Sequence, residues 1–570
     1  MAKLNLSPNV LAAMAERVRR RQAALAPADK PAVAVHALIH DLDLDSYLLE
    51  LRFPRIDGVE GTVTIPRSLT AAPHDVRRML LDAGAPLPSD AKAAAALVQV
   101  QLAHEPTITR AITRQGGWHG DSFVTRGRTF GPQAASLSFL ASSIFEDPSI
   151  GMRHGTFEGW RAGMVPACRA SSYLTFGLSV GYAGPLLDLL DENEGAIFNF
   201  FGHSSTGKTL VARALHSQAG RAQSSDLPTY GISQRGAEEL CFGRNDWAVI
   251  FDEAGRTTGT PEQRREKVRN IAFMVPSGRG AIRSARVSRH HELPNLTWRL
   301  FGISSGERPL DEPGATRLAG EQLRHIDITV PRPARGGVFD LIDAEGEERG
   351  MDAARLAADI EATISANYGL ARDHYLDRLA AERPQVVIKI RQIVDDFVTS
   401  VGASTQPWER RYARKFGIVL AGAILAADWD VAPFSTEHAR RCILAIYRVA
   451  RQAIVSVEEE ASDVMHRLRE ARSQGFFPIL RKGDQLPEEK RGVAWGFCRE
   501  EDGQEILAVL PSVFVGLARS KPSAIAVLDT LAGKGIVLPG LKGKRHRQIA
   551  VQGFPRAGRG RWVCLRSSKV

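Results

Sequence analysis

The stretch AIFNFFGHSSTGKT, from Ala196 to Thr209, decides the fold. Its first six residues, Ala196–Phe201, are an apolar run of the kind that forms a buried strand. The octet Gly202–Thr209 fits the pattern G-x-x-x-x-G-K-[ST], and helical periodicity follows it directly. Apolar strands and helical segments then alternate as far as the run Pro331–Gly337, which marks the far edge of this region. This alternation predicts an α/β domain with a parallel sheet and flanking helices.

The octet is typical of a loop that holds phosphate. Its glycines let the backbone wrap closely around an anion, and the loop amides and the helix N-terminus supply hydrogen-bond donors. Lys208 would reach the β- and γ-phosphates, and the Thr209 hydroxyl would bind Mg²⁺. We therefore expect ATP and Mg²⁺ as cofactors; a Gly-rich turn without a ligand is the alternative. The predicted nucleotide-binding residues are Gly202, Ser204, Ser205, Thr206, Gly207, Lys208 and Thr209.

Two acids follow a second apolar run, Ala248–Phe251. Asp252 stands 44 residues after Lys208 and is followed by Glu253. In phosphoryl-transfer NTPases the first such acid holds Mg²⁺ and the second polarises the attacking water. We predict these roles for Asp252 and Glu253. The alternative is a strand that simply ends in ordinary solvated acids.

A third apolar run, Trp298–Ile303, ends in two serines. Ser304 or Ser305 could sense the γ-phosphate from the end of this neighbouring strand, or could only cap the chain there. Downstream, Arg324 directly precedes another predicted strand. It could stabilise transition-state charge in the site of a neighbouring subunit, or it could be a surface arginine.

Several motifs together resemble one family. They are Gly116–Gly120 (GGWHG), Phe123-Val124, FFGHSSTGKT, VIFDEAG, TWRLFGISSGE and LRHIDI. In this order they resemble the domain-of-unknown-function 927 family over about residues 112–345, and Trp408–Phe416 is similar to the helical region that follows. The family is linked to phage, plasmid and cassette-type mobile elements. Some members resemble AAA+ replicative helicases of the minichromosome-maintenance class, which are hexameric rings on DNA.

The resemblance implies a role at each matching position. The implied roles are Walker A at Gly202–Thr209, Walker B at Asp252 and Glu253, sensor 1 near Ser304 and Ser305, an arginine finger near Arg324, and sensor 2 at Arg410, Arg411 or Arg414. The Trp118-His119 pair within GGWHG is interpreted as a packed hairpin rather than a site.

Charge is distributed unevenly along the 570 residues. Lys and Arg number 74 and Asp and Glu 64, a net charge of +10. Residues 519–570 contain twelve Lys and Arg and a single acid, Asp529, so the rest of the chain is close to neutral. A basic segment on a neutral body predicts a module that binds a polyanion.

Two basic regions are candidate DNA contacts. The acid-free run Gly278–His291 lies where AAA+ helicases insert a pore hairpin, and a solvated loop is the alternative. The pattern of residues 524–565 predicts a helix followed by a basic hairpin, which resembles a winged helix. Phe554 or Trp562 could stack on a nucleic-acid base there. The predicted DNA-binding residues are Arg279, Arg283, Arg286, Arg289, Lys544, Arg545, Arg547, Arg556, Arg559 and Arg561.

These features predict four domains. They are an N-terminal α+β domain (1–110), an AAA+-like P-loop NTPase core (111–345), a helical lid (346–470) and a basic winged-helix-like domain (471–570). The expected function is an ATP-hydrolysing DNA translocase or helicase, acting as a homo-oligomeric, hexameric ring in replication of a mobile genetic element. The alternatives are an ATP-controlled DNA-binding switch (a loader, initiator or phage-defence protein) and a small-molecule kinase. Five scattered cysteines and no apolar run long enough to cross a bilayer predict a cytoplasmic protein without membrane contact.

Overall fold

The computed structural model describes residues 33–106, 108–140, 149–252, 260–281, 295–309, 323–403, 407–452, 457–501, 503–518, 521–540, 544–554 and 560–569. The strands in this part of the chain are β1 (Ala34–Asp41), β2 (Ser46–Pro54), β3 (Glu60–Pro66), β4 (Ile108–Thr113), β5 (Gly117–His119), β6 (Ser122–Thr125), β7 (Arg128–Phe130), β8 (Leu137–Phe139), β9 (Ala196–Phe201), β10 (Ala248–Phe251), β11 (Phe301–Gly306), β12 (His325–Thr329), β13 (Gly496–Glu501), β14 (Gln504–Val509), β15 (Arg547–Gln548) and β16 (Arg561–Arg566).

The helices lie mostly in the middle and at the end of the chain. They are α1 (Pro73–Asp82), α2 (Ala91–Leu102), α3 (Phe157–Arg169), α4 (Ser172–Ala183), α5 (Leu186–Leu189), α6 (Lys208–Ser217), α7 (Gln234–Gly243), α8 (Pro261–Ser277), α9 (Gly346–Ala366), α10 (Ala371–Ala381), α11 (Arg383–Ser400), α12 (Pro407–Asp428), α13 (Thr436–Gln452), α14 (Val457–Ser473), α15 (Pro511–Leu517) and α16 (Lys521–Gly533).

The first sheet has the order β3-β2-β1-β4-β8. The strands β1, β2 and β3 are antiparallel neighbours, whereas β4 and β8 join in parallel. Its apolar core includes Leu49, Leu51 and Ile65 from the strands and Val76 and Leu80 from α1. β4 and β8 carry this sheet on to residue 139, beyond residue 110, the predicted end of the N-terminal domain.

The GGWHG motif lies in a small sheet, β5-β6-β7, that is packed against the central domain. Trp118 is buried, and its indole N–H donates to the carbonyl of Pro185 at 2.9 Å. The backbone N–H of Trp118 donates to the carboxylate of Asp246 at 3.0 Å. The Arg383 guanidinium lies over the indole ring at 4.7 Å. The motif is therefore a packed hairpin, as its composition predicted.

The central sheet is entirely parallel and has the order β10-β11-β9-β12. All its carboxyl ends therefore meet at one edge. The apolar side chains alternate between its faces: Phe198 and Phe200 belong to a core shared with α4 and α6, whereas Ile197 and Val249 belong to a core shared with α7 and α8. Helices cover both faces, which is the α/β arrangement that the strand–helix alternation predicts.

The helical region packs onto the central domain and shares its core. Phe416 of α12 contacts Phe176 of α4 and Phe198 of β9, with ring centroids 5.7 and 5.5 Å apart. The apolar run that begins at Phe416 is buried inside the protein because α12 lies between α4, α11 and α13. Within the described residues, no helix combines the length and the apolar character needed to cross a bilayer.

The last part of the chain forms an antiparallel sheet, β13-β14-β16-β15. The helices α14, α15 and α16 share an apolar core with one face of this sheet. The other face buries Phe497, Phe554 and Trp562, whose rings contact one another. The predicted helix after residue 524 and the predicted strand at 562–565 are both present, as α16 and β16.

Candidate functional site

The loop between β9 and α6 has the backbone conformation that an anion-binding loop needs. Gly202, Ser205 and Gly207 have φ values of +147°, +57° and +88°. A Cβ atom on Gly207 would lie 2.5 Å from Cγ2 of Val338, so a larger residue does not fit there. Successive amides in such left-handed turns, together with the N-terminus of α6, form a concave set of donors.

Lys208 is the first residue of α6, and its ammonium group turns back into the loop. Its Nζ donates to the carbonyls of Gly202 (3.1 Å) and His203 (2.5 Å) and to Oγ1 of Thr206 (3.1 Å). Burial lowers the pKa of Lys208 from its usual value, while the carboxylates of Glu307 and Asp252 oppose this shift. The lysine is thus held by neutral oxygens of its own loop, with two carboxylates nearby.

Asp252 connects the loop to the two neighbouring strands. Its Oδ1 accepts hydrogen bonds from Thr209 Oγ1, at 3.1 Å, and from Ser305 Oγ. Its backbone N–H donates to the carbonyl of Pro228 at 2.9 Å, and the residue is 9% exposed. Carboxylate and hydroxyl oxygens are ligands that Mg²⁺ prefers, usually completed by waters and substrate phosphates. The residues present therefore fit a nucleotide with Mg²⁺; Glu253 lies outside the described residues.

The two serines of β11, Ser304 and Ser305, face different partners. Ser305 donates to Asp252, as above, whereas Ser304 accepts a hydrogen bond from the hydroxyl of Tyr230 at 3.0 Å. Tyr230 is fully buried and stacks on Phe251, with ring centroids 5.2 Å apart. Since successive side chains of a strand point in opposite directions, only Ser305 can face the loop.

Arg324 lies at the opposite edge of the sheet from the loop. Its carbonyl accepts from the N–H of Ile197, at the start of β9, and its guanidinium pairs with Glu194 at 2.7 Å. Within one chain, Arg324 is therefore directed away from the nucleotide loop.

Two of the three arginines predicted as sensor 2, Arg411 and Arg414, belong to the same far edge, and Arg410 is exposed. Arg411 pairs with Glu194 at 3.0 Å, and Arg414 with Glu192. The assignment of Arg411 and Arg414 to the phosphate site is therefore wrong within one chain. Both guanidinium groups instead tie the start of α12 to the segment that precedes β9.

The structure brings further residues to the loop that the sequence analysis missed. The carboxylate of Glu307 is near enough to raise the pKa of Lys208, and so it favours the charged form of the lysine. The N–H of Val338 donates to the carbonyl of Thr206 at 2.9 Å, so the segment after β12 packs on the loop. Arg332 and Arg335 are exposed on this segment. The run PRPARGG was the available signal, but it was interpreted only as the edge of the region.

The predicted DNA contacts are only partly within the described residues. Arg283, Arg286, Arg289, Arg556 and Arg559 lie outside them. Arg279 is exposed just after α8, and the segment that follows it is anchored because the N–H of Ala281 donates to the carboxylate of buried Glu238 at 3.1 Å. This hydrogen bond anchors the first residues of the predicted basic loop.

In the last domain, Lys544, Arg545 and Arg561 are exposed and Arg547 is half-buried. Arg545 donates two hydrogen bonds of 2.7 Å to the carboxylate of Asp529 on α16. Arg547 donates to the carbonyl of Pro539 at 3.0 Å.

The prediction that Phe554 or Trp562 stacks on a base is wrong. The two residues are 6% and 0% exposed, and the indole N–H of Trp562 donates to the carbonyl of Ile549 at 3.0 Å. Both rings are core side chains of the second face of the sheet, so neither can present a free face to a nucleotide.

Comparisons with known proteins bear on the fold. A family model described as domain of unknown function (DUF927) matches residues 26–291, and no curated protein sequence matches the chain. A solved structure described as "SCCmec type IV Cch - active helicase" has a TM-score of 0.64 at 15% identity, covering 94% of this chain and 93% of its own. A second, "The A form apo structure of NrS-1 C terminal region-CTR", has a TM-score of only 0.26 at 10% identity, covering 72% and 91%. At this identity the first likeness shows a shared fold.

Proposed function

Since residues 26–291 match the model of the domain-of-unknown-function 927 family, we propose that the protein is an ATP-hydrolysing DNA translocase or helicase of a mobile genetic element, with an AAA+-like core. The observation that carries the proposal is the cluster of Thr209, Asp252 and Ser305 beside Lys208, at the carboxyl edge of a parallel sheet. This is the edge where α/β sheets bind their ligands. The fold that the chain shares with a structure described as an active helicase supports the same proposal.

The chemistry of the site follows from the residues that converge on it. ATP, when bound with Mg²⁺, supplies the phosphoanhydride bond that is hydrolysed. Lys208 exchanges its contacts with the loop oxygens for phosphate oxygens, while Thr209 and Asp252 hold the metal side of the site. Ser305 orients the Asp252 carboxylate through its hydrogen bond. Glu253 is the proposed base for the attacking water.

An oligomeric ring is proposed because Arg324 is at the wrong edge to act in its own site. Arg324 is held by Glu194 and lies over the ring of Phe273 at 5.4 Å. If neighbouring copies are arranged head to tail, the edge that carries Arg324 faces the next loop, and the guanidinium stabilises charge there. A hexamer is the ring size that the resemblance implies.

DNA engagement is proposed for two regions of the chain. The loop that begins at Arg279 would follow the nucleotide state, because its base is attached to α7 through Glu238. The last domain, proposed to be winged-helix-like, would add phosphate contacts from Lys544, Arg545 and Arg561, which lie on its exposed surface. Such contacts are electrostatic, so affinity should fall steeply with salt.

Strand displacement with purified protein tests the proposal. The wild type is expected to unwind a forked duplex only with hydrolysable ATP, and Lys208→Ala is expected to unwind none. Hydrolysis that DNA stimulates, without displacement of a strand, would instead identify the alternative function of an ATP-controlled switch. Absence of any nucleotide binding would refute both.

A further inference from the structure

A cavity of about 390 Å³ lies beside the C-terminal half of α8, away from the nucleotide loop. Its lining includes Gln234, Arg269, Asn270, Phe273, Ser277 and Arg279. Binding sites for small organic groups typically have about 300–1,000 Å³, so the cavity has the volume for one nucleotide unit. Two of its features already appear above: Arg279 begins the proposed DNA-contacting loop, and the guanidinium group of Arg324 lies over the Phe273 ring at 5.4 Å.

The spacing of three of these side chains explains how they share the cavity. Arg269, Phe273 and Ser277 follow one another at intervals of four residues along α8. Side chains at this spacing lie one above the other on one helix face. Phe273 is 40% exposed although it is aromatic, and the neighbouring Asn270 is also exposed. The helix therefore presents a ring between a guanidinium group and a hydroxyl.

The charge of the cavity favours an anionic occupant. Within the described residues its walls carry the guanidinium groups of Arg269 and Arg279 and no carboxylate. Glu238 of α7 is fully buried and accepts hydrogen bonds from the N–H of Ala281, at 3.1 Å, and from the side-chain amide of the lining residue Gln234, at 3.4 Å. Phe273 and Met274 supply the large apolar side chains, and the other long side chains are amides and guanidinium groups.

We propose that this cavity binds a nucleotide of single-stranded DNA, with its base against Phe273 and its phosphates on Arg269 and Arg279. A ring for stacking, flanked by cations, is the combination by which proteins hold single strands without regard to sequence. Gln234 and Asn270 supply amide groups for the base edge or the sugar. The proposal rests on the proposed DNA function and adds a stacking site to it, at the base of the loop that begins with Arg279.

The test compares Phe273→Leu with Phe273→Trp in the full-length protein. Fluorescence anisotropy measures binding of labelled oligothymidine and of a duplex. Loss of one stacked base is expected to weaken oligothymidine binding about tenfold in Phe273→Leu, whereas Phe273→Trp binds as tightly as the wild type. Duplex affinity stays unchanged in both variants, because a base within a duplex has no free face. Ile388→Ala, at a side chain 76% exposed on α11, is the matched surface control.

Salt dependence separates stacking from charge. In Arg269→Gln, the slope of log affinity against log salt should fall by about 0.7, the value for one lost phosphate contact on a single strand. In Phe273→Leu the affinity falls but the slope stays the same. A photoreactive oligonucleotide with 5-iodouracil is expected to cross-link to the peptide that contains Phe273.

Three results would overturn the inference in distinguishable ways. If wild-type protein does not bind oligothymidine, the proposed DNA function itself fails. If it binds, but Phe273→Leu binds equally well, only the stacking site fails. If Phe273→Leu loses its ATP-dependent assembly in sedimentation velocity, and its DNA affinity falls only in proportion, the cavity is a contact between copies of this chain.

Discussion

Replacing Ser305 by alanine tests whether the Asp252 carboxylate is positioned for hydrolysis by the neighbouring strand. The Ser305 hydroxyl donates to Oδ1 of Asp252, which also accepts from Thr209. Alanine keeps the strand and removes one of the two side-chain donors, Thr209 and Ser305, that the described residues supply to that oxygen. Ser304→Ala is a control at the adjacent position, because its hydroxyl faces Tyr230 instead.

The two substitutions are expected to differ in their effect on kcat. A hydrogen bond to a charged group contributes about 1.5–3 kcal/mol, and about 1.4 kcal/mol corresponds to a tenfold change in rate. If the contact persists in the transition state, Ser305→Ala should lower kcat by about 10- to 150-fold. Ser304→Ala leaves the buried Tyr230 hydroxyl without its partner, which costs about 1–3 kcal/mol of folding stability. Its kcat should remain close to that of the wild type.

Steady-state ATPase measurements with varied ATP and Mg²⁺ are the assay, together with thermal unfolding of both variants. Both substitutions should lower the unfolding temperature, because each removes a buried hydrogen bond, but only Ser305→Ala should lose kcat. Equal effects of the two substitutions on kcat would refute the reasoning, since the strand would then not present its two serines to different partners.

Further predictions concern Lys208 in the nucleotide loop, the proposed catalytic base Glu253, the buried Lys415 and the C-terminal basic segment. Lys208→Ala should abolish ATP binding, whereas Glu253→Gln should bind ATP and accumulate assembled rings in negative-stain images; normal turnover in Glu253→Gln would remove that residue from its role. Burial lowers the pKa of Lys415 to about 8. Between about pH 8 and 10.5 the lysine is therefore neutral in the folded protein but protonated in the unfolded chain, so the free energy of unfolding should rise with pH in this range. Denaturation curves of Lys415→Met should lack this rise, up to about 3 kcal/mol, and an identical rise in both proteins would exclude the lysine as its source. Replacement of the exposed Lys544, Arg545 and Arg561 by glutamine, which keeps the core of the C-terminal sheet, should weaken DNA binding strongly and leave basal ATPase intact; retained affinity would make the internal loop the main contact.

Local sequence predicted the parts of the fold that depend on neighbouring residues. The octet Gly202–Thr209 specifies a strand, a tight loop and a helix, and each of these depends on residues within a few positions. The acids after Ala248–Phe251 were predicted to act with the loop because in phosphoryl-transfer NTPases a strand that ends in acids follows such a loop. The structure places Asp252 at hydrogen-bond distance from Thr209.

Long-range packing could not be predicted in the same way. The interpretation of Phe554 and Trp562 as stacking residues used their type and their basic neighbours, but their burial depends on Phe497, which lies in a different hairpin. Likewise, Arg411 and Arg414 meet acids more than 200 residues earlier in the chain. No local pattern encodes such a pairing, because it arises only when α12 packs beside β9.

The contacts of the far edge also have a structural consequence for β9. Six residues of strand extend about 20 Å. Its carboxyl end carries the loop with Lys208, and the backbone carbonyls just before it, at Glu194 and Gly195, are gripped by the ammonium group of Lys415. One strand therefore connects the loop that carries Lys208 to α12, because the backbone just before β9 is held by Lys415.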